Sequence, residues 1–214
     1  MVYAVAAGEA IISVTTEDGT KQANCKVTVT DGNSAPSVAP QVTSLKANKP
    51  NLTLATNKTF ALKITIKPSA MSGAPLTYKS AKKSVAKVSS SGVIKAVAPG
   101  KSTITIESEN GKQAKVNVKV VPAKVSGVSA KQPAKGQIKV TWKKQSGISQ
   151  YQISYYDPKK GSYTKPKTVS KNRYTLKNCK KNATYKCKVR AIKKKGGITY
   201  YGEYSSVVKI KTKK

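Results

Sequence analysis

The sequence predicts an all-β chain of sandwich type. Three observations carry this reading. Apolar and polar residues alternate with a period of two, as in Phe60, Leu62, Ile64 and Ile66 against Ala61, Lys63, Thr65 and Lys67. Turn signals break these runs at short spacing: Asp18-Gly19, Ser91-Gly92, Asn110-Gly111 and Gly196-Gly197. No long segment carries a helical stripe. Many short strands between such turns specify sandwiches.

The first element is a hairpin, and it repeats a later one. Met1–Val29 aligns with Val93–Val120: Ala4 with Ala96, Gly8 with Gly100, Ile12 with Ile104 and Gly19 with Gly111. After one extra residue in the first copy, Ala23, Cys25, Val27 and Val29 match Ala114, Val116, Val118 and Val120. The second copy has an upstream half, from about Val42 to Gly92, that the first lacks. Residues 1–30 are therefore expected to be the C-terminal remnant of a module, in a chain that begins inside a domain. Its apolar face (Ile12, Val14, Val27, Val29) would lack a partner sheet, and a two-stranded remnant is marginal alone.

Residues 31–40, DGNSAPSVAP, are small, polar and twice interrupted by proline, so they read as a linker. Residues 41–121 form one module, with a core expected around Phe60, Leu62, Ile64 and Ile104. Residues 122–214 form a second. Ile138, Val140 and Trp142 alternate there with Lys139, Thr141 and Lys143, and Tyr185, Cys187, Val189 and Ala191 alternate with Lys186, Lys188, Arg190 and Ile192. Its core is expected around Trp142, Ile153, Tyr185 and Val189. The joint Val121-Pro122 is short enough to make a semi-rigid rod.

Composition narrows the function. The 214 residues hold 41 Lys+Arg, 8 Asp+Glu and no His, for a net charge of +33. Without His the commonest general base and metal ligand are gone, and the few carboxylates leave little for acid–base pairs or calcium cages. The charge divides as −2 over residues 1–40, +12 over 41–121 and +23 over 122–214. Only Arg173 and Arg190 are arginines, so the surplus is a diffuse lysine field rather than a base-reading head. Most aromatic residues fall inward or at turns, so no base-stacking platform is evident, and no specific nucleic-acid recognition is expected. The first residues lack a basic n-region and Glu9 interrupts their apolar run, so they do not form a signal peptide. No stretch is long and apolar enough for a membrane helix.

Ser84-Val85-Ala86-Lys87-Val88, Ser91-Gly92-Val93-Ile94-Lys95-Ala96-Val97-Ala98-Pro99-Gly100 and Thr103-Ile104-Thr105 resemble the bacterial immunoglobulin-like domain, group 2, over residues 41–121. Tyr78 stands where that family usually has Trp. Residues 122–214 resemble a fibronectin type III domain, through Val140-Thr141-Trp142, Tyr151-Gln152-Ile153-Ser154-Tyr155, Thr184–Ala191 and Tyr201-Gly202-Glu203-Tyr204-Ser205. The resemblance implies tandem immunoglobulin-like β-sandwiches preceded by a truncated β remnant. It implies Trp142 under the inter-sheet core and Tyr185 as a corner tyrosine bonding back to the backbone. It also implies a modular bacterial surface or secreted protein whose modules are monomeric, extracellular and non-enzymatic. Such modules act as spacers or stalks that contact wall polymer, glycan or host surface. The alternative is an accessory region of a larger cell-wall hydrolase with its catalytic domain upstream.

No cofactor or metal site is expected. Cys25 aligns with the core position Val116 and reads as a small hydrophobe. Cys179 and Cys187 suit either a disulfide in an oxidising compartment or two buried apolar sites. The second module has no Arg-Gly-Asp, and its segment Lys193–Tyr200 is expected to be a basic, flexible loop. The remaining feature is charge. Alternation puts Lys186, Lys188 and Arg190 on the same side as Lys209, Lys211 and Lys213 of the adjacent strand. That face suits an anionic polymer, or simply a soluble surface protected from edge pairing.

Overall fold

The computed structural model describes residues 3–30 and 39–213; of the expected linker, residues 31–38 lie outside the described residues. The first unit is the hairpin β1 (Gly8–Thr15) and β2 (Gln22–Val29), paired antiparallel. Asp18 closes its turn. Hydroxyls of Thr16 and Thr20 and the Thr20 N–H donate to this carboxylate and hold its pKa down at about 2. Asp18 is thus a turn residue.

The second unit, residues 41–214, holds two separate cores. Strands β3 (Ser44–Ala47), β4 (Asn51–Ala55), β5 (Thr59–Ala61), β6 (Ile64–Lys67), β7 (Leu76–Ser80), β8 (Ala86–Val88), β9 (Val93–Ala96), β10 (Gly100–Ser108) and β11 (Gln113–Val121) build the first sandwich. One sheet runs β4-β11-β10-β7, with β4 parallel to β11; opposite it stand the β5-β9-β8 sheet and the β3-β6 pair. Inward residues of every second position, Ile104, Ile106, Val116 and Val120, are fully buried. Tyr78 takes the place of the expected Trp, and its ring covers Gly92, whose missing Cβ would lie 3.1 Å from the ring and whose φ is +76°. A side chain there would meet both the ring and a strained backbone.

The run Phe60–Ile66 is not one strand. At Leu62-Lys63 its hydrogen-bonding partner changes from β9 to the β3 side: the Leu62 N–H donates to Gly92 O, and the Lys63 N–H donates to Asn48 Oδ1. Leu62 and Ile66 are buried, whereas Phe60 and Ile64 pack at the margin of the core. Period two persists through the switch, so the sequence pattern alone does not reveal it.

The hairpin matches β10–β11 residue for residue. Gly8 pairs with Val29 as Gly100 pairs with Val120, Ile12 with Cys25 as Ile104 with Val116, and Val14 with Ala23 as Ile106 with Ala114. Gly19 and Gly111 turn at φ of +72° and +79°. Burial is what differs: Val14 is 67% exposed where its counterpart Ile106 is at 0%. The free energy of opening is set by buried apolar contact, and this hairpin has little. Backbone amides of β1 and β2 are expected to exchange at close to unstructured rates, while those of β10 and β11 are among the slowest in the chain. Comparable protection in the two hairpins, read by hydrogen exchange, would refute this.

The second sandwich uses β12 (Ser129–Lys131), β13 (Ile138–Thr141), β14 (Gln150–Asp157), β15 (Ser162–Tyr163), β16 (Lys167–Val169), β17 (Arg173–Leu176), β18 (Thr184–Lys195), β19 (Ile198–Tyr201) and β20 (Val208–Lys211). The sheet β12-β13-β17 faces a larger one in which β14 pairs with β15, β16 and β18, and β18 with β19 and β20. Trp142, Tyr151, Ile153, Tyr185, Cys187 and Val189 fill the space between them. The Tyr185 hydroxyl accepts the Lys180 N–H at 2.9 Å, the corner bond the resemblance implies.

The expected flexible loop at 193–200 is instead a tight hairpin. Lys193–Lys195 complete β18, Ile198–Tyr200 begin β19, and Gly196 and Gly197 make the turn with φ of +54° and +71°. Two glycines with positive φ give the two-residue turn whose twist matches paired strands. The three lysines are therefore strand residues.

Candidate functional site

The outward face of the large sheet gathers the predicted cations. On β18 the inward row is Tyr185, Cys187, Val189 and Ala191, all buried, so Lys186, Lys188 and Arg190 face out. Lys209 lies directly opposite Lys186, and Lys211 opposite Thr184, on the same face. Lys213 falls beyond β20, where its backbone N–H donates to Gln132 Oε1 at 2.7 Å. Among the described residues the ion pairs are Lys26–Glu9 in the hairpin and Lys79–Glu107 in the first sandwich, so no cation of this face is paired with a carboxylate.

The face also carries tyrosines, which corrects the expectation of inward aromatics. Tyr156 on β14 lies opposite Lys186, Tyr163 on β15 lies opposite Tyr156, and Tyr201 on β19 lies opposite Ile192. Tyr204 arrives from the segment between β19 and β20. There the Ser205 hydroxyl accepts the Val189 N–H at 3.0 Å and the Ser205 N–H donates to Val189 O, which holds the segment on β18.

Rings and cations interleave. Lys188 Nζ stands 4.4 Å from the Tyr163 ring centre and 4.8 Å from that of Tyr204. The Arg190 guanidinium carbon stands 4.3 Å from Tyr201 and 4.7 Å from Tyr204. Lys186 lies over Tyr156 at 5.3 Å, and Tyr156 meets Tyr163 edge-on at 5.9 Å. Arg190 Nε donates to Gln152 Oε1 at 2.8 Å, which fixes the plane of the guanidinium. Such stacks hold a cation by the ring quadrupole and restrict its rotamers. The outermost rings, Tyr163 and Tyr201, stay 39% and 44% exposed.

The cysteines lie elsewhere. All three are free thiols, so no Cys179–Cys187 bond is formed in this structure. Cys25 is exposed, because the hairpin face that would cover it is open. Burial raises the Cys179 thiol and pushes Cys187 up to about 12. A thiol held at that value is almost wholly protonated near neutrality and is a poor nucleophile. Among the described residues no group of three or more Cys, Asp or Glu is placed to hold a metal, and no helix is long and apolar enough to cross a membrane.

Residues 41–120 match the bacterial Ig-like domain (group 2), and residues 123–208 match the fibronectin type III domain. The chain thus carries a bacterial Ig-like domain (group 2) followed by a fibronectin type III domain. No curated protein matches it. Among solved structures, a two-domain fibronectin type III segment from chicken tenascin is 19% identical with a TM-score of 0.53, over 80% of this chain and 99% of that one. The FN5 domain of Drosophila Lar is 24% identical with a TM-score of 0.35, over 44% of this chain and 99% of that one. The tenascin likeness shows a shared fold. Bacterial Ig-like and fibronectin type III domains are commonly extracellular and typically structural rather than catalytic.

Proposed function

We propose that the chain is a non-enzymatic spacer or adhesion module of a bacterial cell-surface or secreted protein, and that it contacts anionic wall polymer or glycan through the face of Lys186, Lys188, Arg190, Lys209 and Lys211. The observation that carries this reading is the gathering of unpaired cations on one side of one sheet. A like-charged row repels itself and is relieved by a polyanion. Along β18 the cations recur every second residue, about 6.8 Å apart, so an extended polymer meets them in sequence. The two Ig-like and fibronectin type III cores in tandem support a spacing role, and the scarcity of acid–base groups accords with a non-catalytic one.

The test is cosedimentation of the 214-residue chain with purified wall material carrying anionic polymer. Binding is expected at low salt and is expected to fall steeply by about 0.5 M salt, as counterion release requires. Lys209→Glu with Lys211→Glu is expected to weaken it at every salt concentration. Absence of binding at low salt, or retention unchanged at about 1 M salt, would overturn the proposal.

A further inference from the structure

We infer that the face selects a carboxylated polysaccharide, a chain bearing uronic acid sugars, over a polyphosphate of the same charge. This rests on the polyanion reading above and narrows it. A polyphosphate has no sugar ring and uses only the charges of the face, which Lys209 and Lys211, exposed on β20, already supply in part. The rest of the face is built for more than field. Lys188 and Arg190 are held between tyrosine rings rather than left free in solvent. Gln152 occupies Arg190 Nε, and among the described residues no hydrogen bond reaches the two terminal nitrogens of the guanidinium. That fork in a fixed plane can bond a carboxylate bidentately, as it can a phosphate, so the preference between the two comes from the rings beside it.

The two end rings add an apolar surface beside those charges. Tyr163 and Tyr201 are the exposed members of the row, one on each side of the Lys188–Tyr204–Arg190 stack. A phenol ring half open to solvent offers its carbon face and a hydroxyl together. A pyranose ring presents C–H groups on one face and hydroxyls at its edge, so it matches a tyrosine, and its carboxylate then falls at the neighbouring cation.

The experiment compares three probes on the full chain at one low salt concentration: polygalacturonate, its methyl ester, and inorganic polyphosphate. Polygalacturonate is expected to bind about ten-fold or more tighter than polyphosphate, and the methyl ester to bind weakest, having kept the ring and lost the charge. Tyr163→Ala with Tyr201→Ala is expected to cost about ten-fold toward polygalacturonate and to leave polyphosphate binding within about two-fold. Tyr163→Phe with Tyr201→Phe, which keeps the rings, is expected to recover most of the loss. Both positions are exposed, so an unchanged thermal transition verifies that the variants fold. Equal binding of polyphosphate and polygalacturonate, an equal effect of the alanine pair on both, or preference for oligothymidylate would overturn the inference while leaving the polyanion reading intact. Failure to bind any of the polyanions would overturn both.

Discussion

Replacing Trp142 with alanine is expected to destabilise the fibronectin type III domain by about 3–5 kcal/mol, and phenylalanine at the same position to cost less than half of that. The indole is 3% exposed and meets the Tyr151 ring edge-on, with centroids 5.5 Å apart. Alanine deletes most of this buried area and leaves a void that two hydrogen-bonded sheets cannot close. Backbone bonds pin the site: the Trp142 N–H donates to Asn172 O, and Asn172 Nδ2 donates to Trp142 O at 3.0 Å. Phenylalanine differs for a second reason. The Trp142 Nε1–H is buried with no acceptor among the described residues, so the native side chain already carries an unmade bond. Removing that donor returns part of the lost packing energy. Denaturant unfolding of the full chain, followed by circular dichroism, should show the Ig-like transition unmoved. Phenylalanine costing as much as alanine, or alanine costing under about 1 kcal/mol, would contradict this account.

The inward half of this domain was legible because burial writes itself as alternation. Tyr185, Cys187, Val189 and Ala191 occupy every second position and are all buried, and no other arrangement of an extended strand would serve them. The cation row followed from the same parity, with Lys213 lost only because β20 stops at Lys211. The tyrosines were not legible. Tyr156, Tyr163, Tyr201 and Tyr204 come from three strands and one irregular segment, and what joins them is register between strands, which a single sequence does not encode. Tyr201 and Tyr204 stand three apart, a spacing that breaks period two and so reads as a turn. The local signal was the pair of tyrosines around Gly202 next to a strand with outward cations. The switch of strand at Leu62-Lys63 was hidden for the opposite reason: the alternation runs through it unbroken while the hydrogen bonds change sides.

Gly202→Ala is expected to cost about 1–3 kcal/mol and to loosen the joint between the two domains. The expectation comes from close approach, since Gly202 has no unusual backbone angle. A Cβ at this buried position would sit 2.8 Å from the Pro122 carbonyl oxygen and 3.2 Å from that of Ala123. Both are backbone atoms and cannot swing aside as a side chain would. The glycine itself is tied to β18 by its N–H donating to Ala191 O, so the strain must move residues 122–123. Those residues are gripped from other sides. Gln145 Nε2 donates to Ala123 O at 3.0 Å, and the Tyr151 hydroxyl, inside the core, accepts the Gln145 N–H at 2.9 Å. On the Ig-like side the Thr56 N–H and hydroxyl both donate to Val121 O. Displacing Pro122 therefore breaks a run of bonds that links the two domains. Amide signals of Thr56, Val121, Ala123 and Gln145 are expected to shift and broaden in the variant. Gly73→Ala, where a Cβ meets nothing within 4 Å and φ is ordinary, serves as control and is expected to be neutral or slightly stabilising. If Gly202→Ala behaved like that control, the close packing of Pro122 against Gly202 would not be what stiffens the joint.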